Sequence, residues 1–422
     1  MNYRAPKGTA DMLPDTARVW EFMQRTAQEL FARYGYQPVY PPVFEHTDVF
    51  ARGIGEATDI VSKEMYTFED RGGRSITLRP EATASIVRAA LEHNLVPPGS
   101  AAKLYFMGPM FRYERPQAGR MRQFWQIDAE TLGAGEPSAD AEMIAMLVRY
   151  FETLGITGTT LLVNSMGDDA CRPRYREKVA AYIRDHSEQL CEECDRRAET
   201  NPLRAFDCKK PSCRDVMDLA PKLRDELCPE CAEHYAAVKR YLDGLGIAYA
   251  EDTSLVRGLD YYTRTVFEIQ APGLGAQNAI GGGGRYDRLM EMFGGPPTPG
   301  LGFALGFERT YLVMQAQGLS VPAPPTAEVY VARVAQDVAA AVFDLTARLR
   351  EAGIAAELDH QARSLKSQFK QADRLGARFV VVVGPDELAA GEVTVRAMAT
   401  SQERRAPLSG AAEVLRGLLA ES

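Results

Sequence analysis

The sequence predicts an α+β domain built on a mainly antiparallel sheet, with a helical insertion and a separate C-terminal α/β domain. Three observations carry this. Short β-prone stretches separated by Pro, Gly and charged residues fill the first part of the chain. A stretch rich in Arg, Glu and Cys with helical patterning interrupts it over residues 168–245. Beyond a Pro-rich segment, strands alternate with helices, the pattern of a compact α/β unit.

The elements follow in order. Residues 15–34 place Val19, Phe22, Met23, Leu30, Phe31 and Tyr34 near helical spacing, with Asp15 as candidate N-cap and Gly35 as the stop. Strands are expected at Pro38 to Phe44, Ser75 to Leu78, Lys103 to Tyr113, Arg122 to Ala129 and Thr160 to Asn164. The insertion shows helical patterning at Arg174 to His186 and His234 to Leu245. Strand character resumes at Val266 to Gln270 and Ala279 to Ile280, then Gly281 to Gly284 lead into a helical segment after Tyr286. The first domain is therefore expected over 1–167 and 246–320, interrupted by the insertion at 168–245. Residues 321–326 have linker composition, and 327–422 form the second domain. There, strands at Glu328 to Val334, Ile354 to Leu358, Phe379 to Val383 and Val393 to Ala397 alternate with helices at Asp337 to Ala352, Ser364 to Leu375 and Gly410 to Leu419.

At 422 residues the chain exceeds the size of a single core, and 45% hydrophobic with 25% charged residues is ordinary globular composition. The N-terminus lacks the apolar stretch of a signal peptide and no run approaches a membrane span, so a cytoplasmic protein is expected. A formal charge of −8 argues against indiscriminate nucleic-acid binding and leaves any such contact regional. All seven cysteines lie between Cys171 and Cys231. An odd number in one region points to metal binding or free thiols rather than a disulfide framework. Cys191-x-x-Cys194 and Cys228-x-x-Cys231 form two C-x-x-C knuckles suited to structural zinc, but 33 residues separate them, more than the usual ~15–20, and Cys208 and Cys213 compete as ligands. Reduced surface thiols are the alternative.

The chemistry is concentrated in a few segments. Gly108-Pro109-Met110-Phe111-Arg112-Tyr113-Glu114, a polar loop, and Arg120-Met121-Arg122-Gln123-Phe124 read as two strands flanking a basic loop. Alone this could be a surface hairpin; planar arginines, however, bind phosphate oxygens bidentately. Gly300 to Arg309 has its third glycine one place too late for a dinucleotide fingerprint, and no βαβ unit surrounds it. It reads instead as a strand whose glycines admit a flat ring, running into a helix near Glu308 and Arg309. Leu255 to Tyr262 and Gly281 to Asp287 complete the set.

Together these segments resemble the class II aminoacyl-tRNA synthetases, with motif 2 at Phe111-Arg112-x-Glu114 and Arg120-x-x-x-Phe124, and motif 3 at Gly302 to Arg309. Leu255-Val256-Arg257-Gly258-Leu259-Asp260-Tyr261-Tyr262 and Gly281-Gly282-Gly283-Gly284-Arg285-Tyr286-Asp287 look like the two peptides of the histidyl-tRNA synthetases, and Tyr40 to Phe50, with Pro42, like the dimer-interface motif 1. The resemblance covers essentially the whole chain. It implies ATP-dependent activation of L-histidine to its adenylate and transfer to tRNA(His), in a homodimer, with Mg2+ accompanying the phosphates.

The resemblance also implies roles. Arg112 would contact the α-phosphate, Glu114 the adenine amino group and Arg120 the γ-phosphate, while Phe124 and Arg309 would sandwich the base. Arg257 would be the principal catalytic cation, with Arg112. For histidine, Glu81, Ala82 and Thr83 would hold the α-amino group, Gln126 would lie near the carboxylate, and Glu130 with Tyr262, beside Tyr261, would take the imidazole. Taken singly, Glu81 and Glu130 also fit structural salt bridges with arginines. Arg115 and Gln117 in the motif 2 loop would approach the acceptor end of the tRNA. In the C-terminal domain, where the family carries anticodon binding, Arg363, Lys366, Lys370 and Arg374 recur at helical spacing and suit a phosphate backbone. The rival reading is a synthetase-like regulatory subunit of ATP phosphoribosyltransferase. Those proteins typically lack the anticodon domain and lose signature arginines, whereas this chain keeps Arg112, Arg120, Arg257 and Arg309.

Overall fold

A computed structural model describes residues 3–55, 58–117, 119–255, 259, 261–274, 278–321 and 327–421. The chain forms two compact units, Met1–Val321 and Pro322–Ser422.

The first unit opens with helix α1 (Pro14–Arg33), which buries Trp20, Met23, Ala27, Leu30 and Phe31 on one stripe. Its N-cap is Leu13 rather than Asp15, because Pro14 takes the first helical position, where a missing N–H costs nothing. The strand expected at Pro38 to Phe44 is broken by Pro41 and Pro42 into β1 (Gln37–Pro38) and β2 (Phe44–His46). After α2 (Thr47–Ile54), strands β3 (Tyr66–Glu69) and β4 (Ser75–Leu78) join β2 in a small antiparallel sheet of order β2-β4-β3. Helix α3 (Thr83–Glu92) follows, then the long hairpin of β5 (Ala102–Phe111) and β6 (Gln123–Leu132), paired over ten residues, and α4 (Pro137–Thr153). Strand β7 (Thr160–Ser165) leads into the insertion, made of α5 (Arg172–Asp185), α6 (Glu192–Thr200), α7 (Pro211–Met217) and α8 (Pro229–Gly244). The sheet then resumes with β8 (Ala250–Glu251), β9 (Thr263–Gln270) and β10 (Ala279–Arg285). After the short α9 (Leu289–Met292), β11 (Gly300–Gly306) runs into α10 (Phe307–Ala316).

Eight strands form the main sheet in the order β1-β5-β6-β11-β10-β9-β7-β8. All six inner strands pair antiparallel, and only the edge strands β1 and β8 are parallel to their neighbours. One face packs on α1 and α4 through Ile127, Ala129, Phe267, Ile269, Phe303 and Leu305. Gly281 to Gly284 extend the strand character expected at Ala279 to Ile280. They are an inner strand, because a chain without side chains can lie flat between β9 and β11.

The second unit has a sheet of order β13-β12-β14-β15-β16, from β12 (Val329–Arg333), β13 (Ala356–Leu358), β14 (Phe379–Val383), β15 (Glu392–Ala397) and β16 (Glu403–Pro407). Strands β12, β13 and β14 are parallel and β15 and β16 antiparallel, with α11 (Ala339–Glu351), α12 (Leu365–Arg374), α13 (Pro385–Ala390) and α14 (Ala411–Glu421) around them. Lys366, Lys370 and Arg374 are exposed on α12, whereas Arg363 precedes the helix and lies 3.5 Å from buried Asp359. No helix among the described residues is long and apolar enough to cross a membrane.

Candidate functional site

The site follows from the period of two along β6. Ile127 and Ala129 enter the core, so Phe124, Gln126, Asp128 and Glu130 stand on the opposite face in a row about 20 Å long at ~3.4 Å per residue. Directly opposite them in the antiparallel pairing, Gly306 faces Gln126, Ala304 faces Asp128 and Gly302 faces Glu130. One strand further, Gly282 lies opposite Ala304 and Gly284 opposite Gly302. Small residues on β10 and β11 thus leave a cavity of about 380 Å³ above the polar row. The closeness is real: a Cβ on Gly302 would lie 1.7 Å from Glu130 Oε2.

Acids gather at one part of this cavity. Glu81 accepts the amides of Thr83 (3.0 Å) and Ala84 (2.9 Å) at the start of α3. Thr83 Oγ1 donates to Glu130 Oε1 (2.6 Å), and the Tyr286 hydroxyl donates to Glu130 Oε2. Tyr286 packs edge-on against Tyr261, which leans on Tyr262. Burial pushes the carboxyls of Glu81, Asp128 and Glu130 above the usual range, most strongly for Asp128 and Glu130. Asp128 Oδ2 and Gln126 Oε1 are buried with no hydrogen-bond partner among the described residues, and a buried polar atom calls for a donor. Neither Glu81 nor Glu130 is ion-paired with an arginine among the described residues.

Cations gather elsewhere in the same cavity, which Arg112, Arg120 and Arg309 all line. Arg112 Nε donates to Pro80 O (2.8 Å), and its guanidinium lies 5.2 Å from the centre of the Phe124 ring. Arg120 pairs with Glu114 at 2.9 Å. Arg309 Nη1 donates to Ala279 O (2.9 Å), and burial together with Arg120 lowers its basicity. Next to it, Glu308 accepts the Trp125 amide, and burial raises its carboxyl to about 7.

Of the residues singled out in the sequence, Glu81, Thr83, Arg112, Glu114, Arg120, Phe124, Gln126, Tyr261, Tyr262 and Arg309 line this one cavity, while Glu130 is buried beneath Gly302, bonded to the lining residues Thr83 and Tyr286. Ala82 is buried at the N-cap of α3 and is not in the lining. Arg257 lies outside the described residues, as do 256, 258 and 260. Sequence reasoning missed Asp128, Glu268 and Tyr286, which also line the cavity. The alternation Gln126, Asp128, Glu130 on a predicted strand was the available signal for Asp128.

The sequence model of histidyl-tRNA synthetase matches residues 8–310. The chain belongs to the histidyl-tRNA synthetase family. The anticodon binding domain model matches residues 328–418, within the second unit. A curated histidine–tRNA ligase of Halothermothrix orenii is 47% identical over 419 residues, covering 99% of this chain and all of that one. That of Desulforamulus reducens is 49% identical over 403 residues, 96% of each. Among solved structures, apo histidyl-tRNA synthetase from S. aureus superposes with a TM-score of 0.84 at 37% identity, covering 98% of this chain and 99% of that one. A histidyl-tRNA synthetase that carries an anticodon domain does not fit the regulatory-subunit reading.

The cysteines are arranged differently from the expectation. Cys191, Cys194, Cys228 and Cys231 do not form one set: Cys191 and Cys194 join Cys208 and Cys213, while Cys228 and Cys231 join Cys171 and Asp168. The reason is spatial. The first knuckle opens α6 beside α7, whereas the second opens α8, which packs back on α4 of the main domain.

Proposed function

We propose that this cavity is where histidine and ATP combine to histidyl-adenylate, before the histidine passes to the 3′ end of tRNA(His). The observation that carries the proposal is the two-sided polarity of the cavity: the buried acids Glu81 and Asp128, the latter with one oxygen unpartnered among the described residues, and a set of arginines line the same 380 Å³ space. An amino acid brings a cation and ATP brings anions, so one site must satisfy both.

Adenylation brings a carboxylate onto the α-phosphorus, forming a C–O–P bond while pyrophosphate leaves, so fixed cations must screen anion from anion. Arg112, with Arg257, takes that role at the α-phosphate. Arg120 takes the γ-phosphate, which requires its pairing with Glu114 to open so that Glu114 reaches the adenine amino group. Phe124 and Arg309 hold the base from its two sides, so Arg112 must leave the face of Phe124 as ATP enters. Mg2+ needs phosphate oxygens and one or two carboxylates. Glu268 lines the cavity and would be a carboxylate ligand for the ion. Bound there, Mg2+ would supply charge neutralisation for the leaving pyrophosphate.

Histidine enters on the acidic side. Glu81 and Thr83 take the α-ammonium, Gln126 the carboxylate region, and Glu130 with Tyr262 the imidazole. Glu130 is oriented by Thr83 and Tyr286 and keeps lone pairs for a ring N–H, so an analogue lacking that N–H forfeits a hydrogen bond, and a site built for hydrogen bonding rejects such analogues by roughly 10⁴-fold. The 3′-hydroxyl of the tRNA then attacks the adenylate carbonyl and AMP leaves, with Arg115 and Gln117 facing the acceptor end. The second unit engages the anticodon stem through Lys366, Lys370 and Arg374. Tyr40, Val43, Phe44 and Phe68 are exposed around the β2-β4-β3 sheet, and this apolar surface supports a homodimer.

The test is charging. Purified chain with ATP, Mg2+ and [¹⁴C]histidine is expected to charge a tRNA(His) transcript and to leave other transcripts uncharged. Absence of charging from a folded chain refutes the proposal.

A further inference from the structure

We propose that the insertion is a two-zinc module: one Zn2+ held by Cys191, Cys194, Cys208 and Cys213, and a second by Asp168, Cys171, Cys228 and Cys231. Within each set, one ligand atom from every member lies within 4.8 Å of the others. Sulfurs around one tetrahedral zinc, at ~2.3 Å from the metal, stand roughly 3.8 Å apart, so each set needs only a small contraction. Four ligands converging on a point differ from the pairwise approach that a disulfide requires.

The inventory closes. Seven cysteines fill seven of eight ligand positions, and the eighth is taken by a carboxylate at the same spacing, Asp168-x-x-Cys171. An odd cysteine count is thereby explained with no thiol left over. The two sets also share a construction. Cys191 is the N-cap of α6 and Cys228 the N-cap of α8, so each C-x-x-C opens a helix, where the positive end of the dipole favours thiolate. Cys191 N donates to Cys213 Sγ and Asp168 N to Cys171 Sγ, both at 3.2 Å, giving two sulfurs the amide hydrogen bonds that thiolates take. Each set holds two buried and two half-buried members, so the sites are enclosed on one side and reachable on the other.

The position of each site gives it work. The first joins α6 to α7 through Cys194 and Cys213, which are buried with Ala198, Leu203, Ala205 and Met217 in a core that the insertion shares with Val266 and Tyr286 of the main domain. So short a segment buries little apolar surface and gains from a staple. The second joins residues 168 and 171, where the chain leaves the main domain, to 228 and 231 at the start of the helix that returns to it. A Cβ on Gly167, whose φ is +59°, would lie 2.5 Å from Cys171 Sγ, so the backbone there is shaped around that sulfur. Arg264 Nη2 lies 3.4 Å from Asp168 Oδ2, and Arg172 donates to Tyr262 O at 2.9 Å. The second site therefore buttresses the segment that presents Tyr262 to the cavity. Thiolates with one carboxylate in tetrahedral array select zinc over the harder divalent cations.

The experiment measures metal in the full chain, expressed with added zinc, purified under reducing conditions without chelator and analysed by inductively coupled plasma mass spectrometry. The result expected is two equivalents of zinc per chain, falling to one in Cys194→Ser/Cys213→Ser and to one in Cys171→Ser/Cys231→Ser. Replacement of zinc by Co2+ in the unmutated chain is expected to give thiolate-to-cobalt charge-transfer and tetrahedral d–d bands, which needs no variant to fold. One equivalent or none in the unmutated chain, iron in place of zinc, or octahedral cobalt bands overturns the proposal.

Discussion

The hydroxyl of Thr83 donates a 2.6 Å hydrogen bond to Oε1 of Glu130, joining the start of α3 to β6 at the floor of the cavity. Tyr286 holds the other oxygen, so a carboxyl buried between β6 and β11 is fixed in one orientation before any substrate arrives. Replacing it tests its role. Glu130→Gln is expected to raise KM for histidine about 10- to 100-fold, the worth of one charged hydrogen bond, with KM for ATP within about twofold. Gly302→Ala, which drives a methyl into Oε2, is expected to do the same. Steady-state kinetics with each substrate varied separately checks both; an equal rise in the two KM values contradicts the assignment.

Asp140 and Arg285 form a fully buried ion pair, and His234 Nε2 of α8 lies 3.3 Å from the same carboxylate. Asp140→Ala leaves a buried guanidinium with only Asp287 for a counter-charge among the described residues and is expected to cost about 3–5 kcal/mol. His234→Leu is expected to cost well under half of that. Urea titration followed by tryptophan fluorescence measures both. Trp20 and Trp125, in contact at 5.1 Å, report on the main domain.

Glu308 carries a pH signature. Burial raises its carboxyl from 4.5 to about 7, so over that interval the folded chain binds the proton that the unfolded chain has released. Its contribution to stability is therefore fully present below 4.5, falls as pH rises, and is lost above about 7. Thermal midpoints from pH 4.5 to 8 are expected to decline more steeply for the natural chain than for Glu308→Gln, which still accepts the Trp125 amide. Parallel curves contradict this.

The site was legible in the sequence where chemistry is local. The strands on either side of the motif 2 loop, the helix opening after Gly306 and the strand at Phe379–Val383 are set by neighbours in the chain. What depends on register was not legible. Tyr286 reaches Glu130 only because β10, β11 and β6 lie side by side, and Asp140 meets Arg285 across 145 residues. Four glycines in a row carry no β-propensity of their own, yet the strands on both sides make Gly281 to Gly284 a strand. The partition of the cysteines into two sets likewise depends on which helix each C-x-x-C opens, a tertiary fact that spacing cannot supply.

The central claim is that this cavity activates histidine with ATP. Amino-acid-dependent exchange of [³²P]pyrophosphate into ATP, run with each of the twenty amino acids, tests it without tRNA. Exchange with histidine alone is predicted, falling by about 10²–10³ or more when one preorganised cation is removed in Arg112→Ala or Arg257→Ala. No exchange with any amino acid, or exchange driven by another amino acid as well as by histidine, contradicts it.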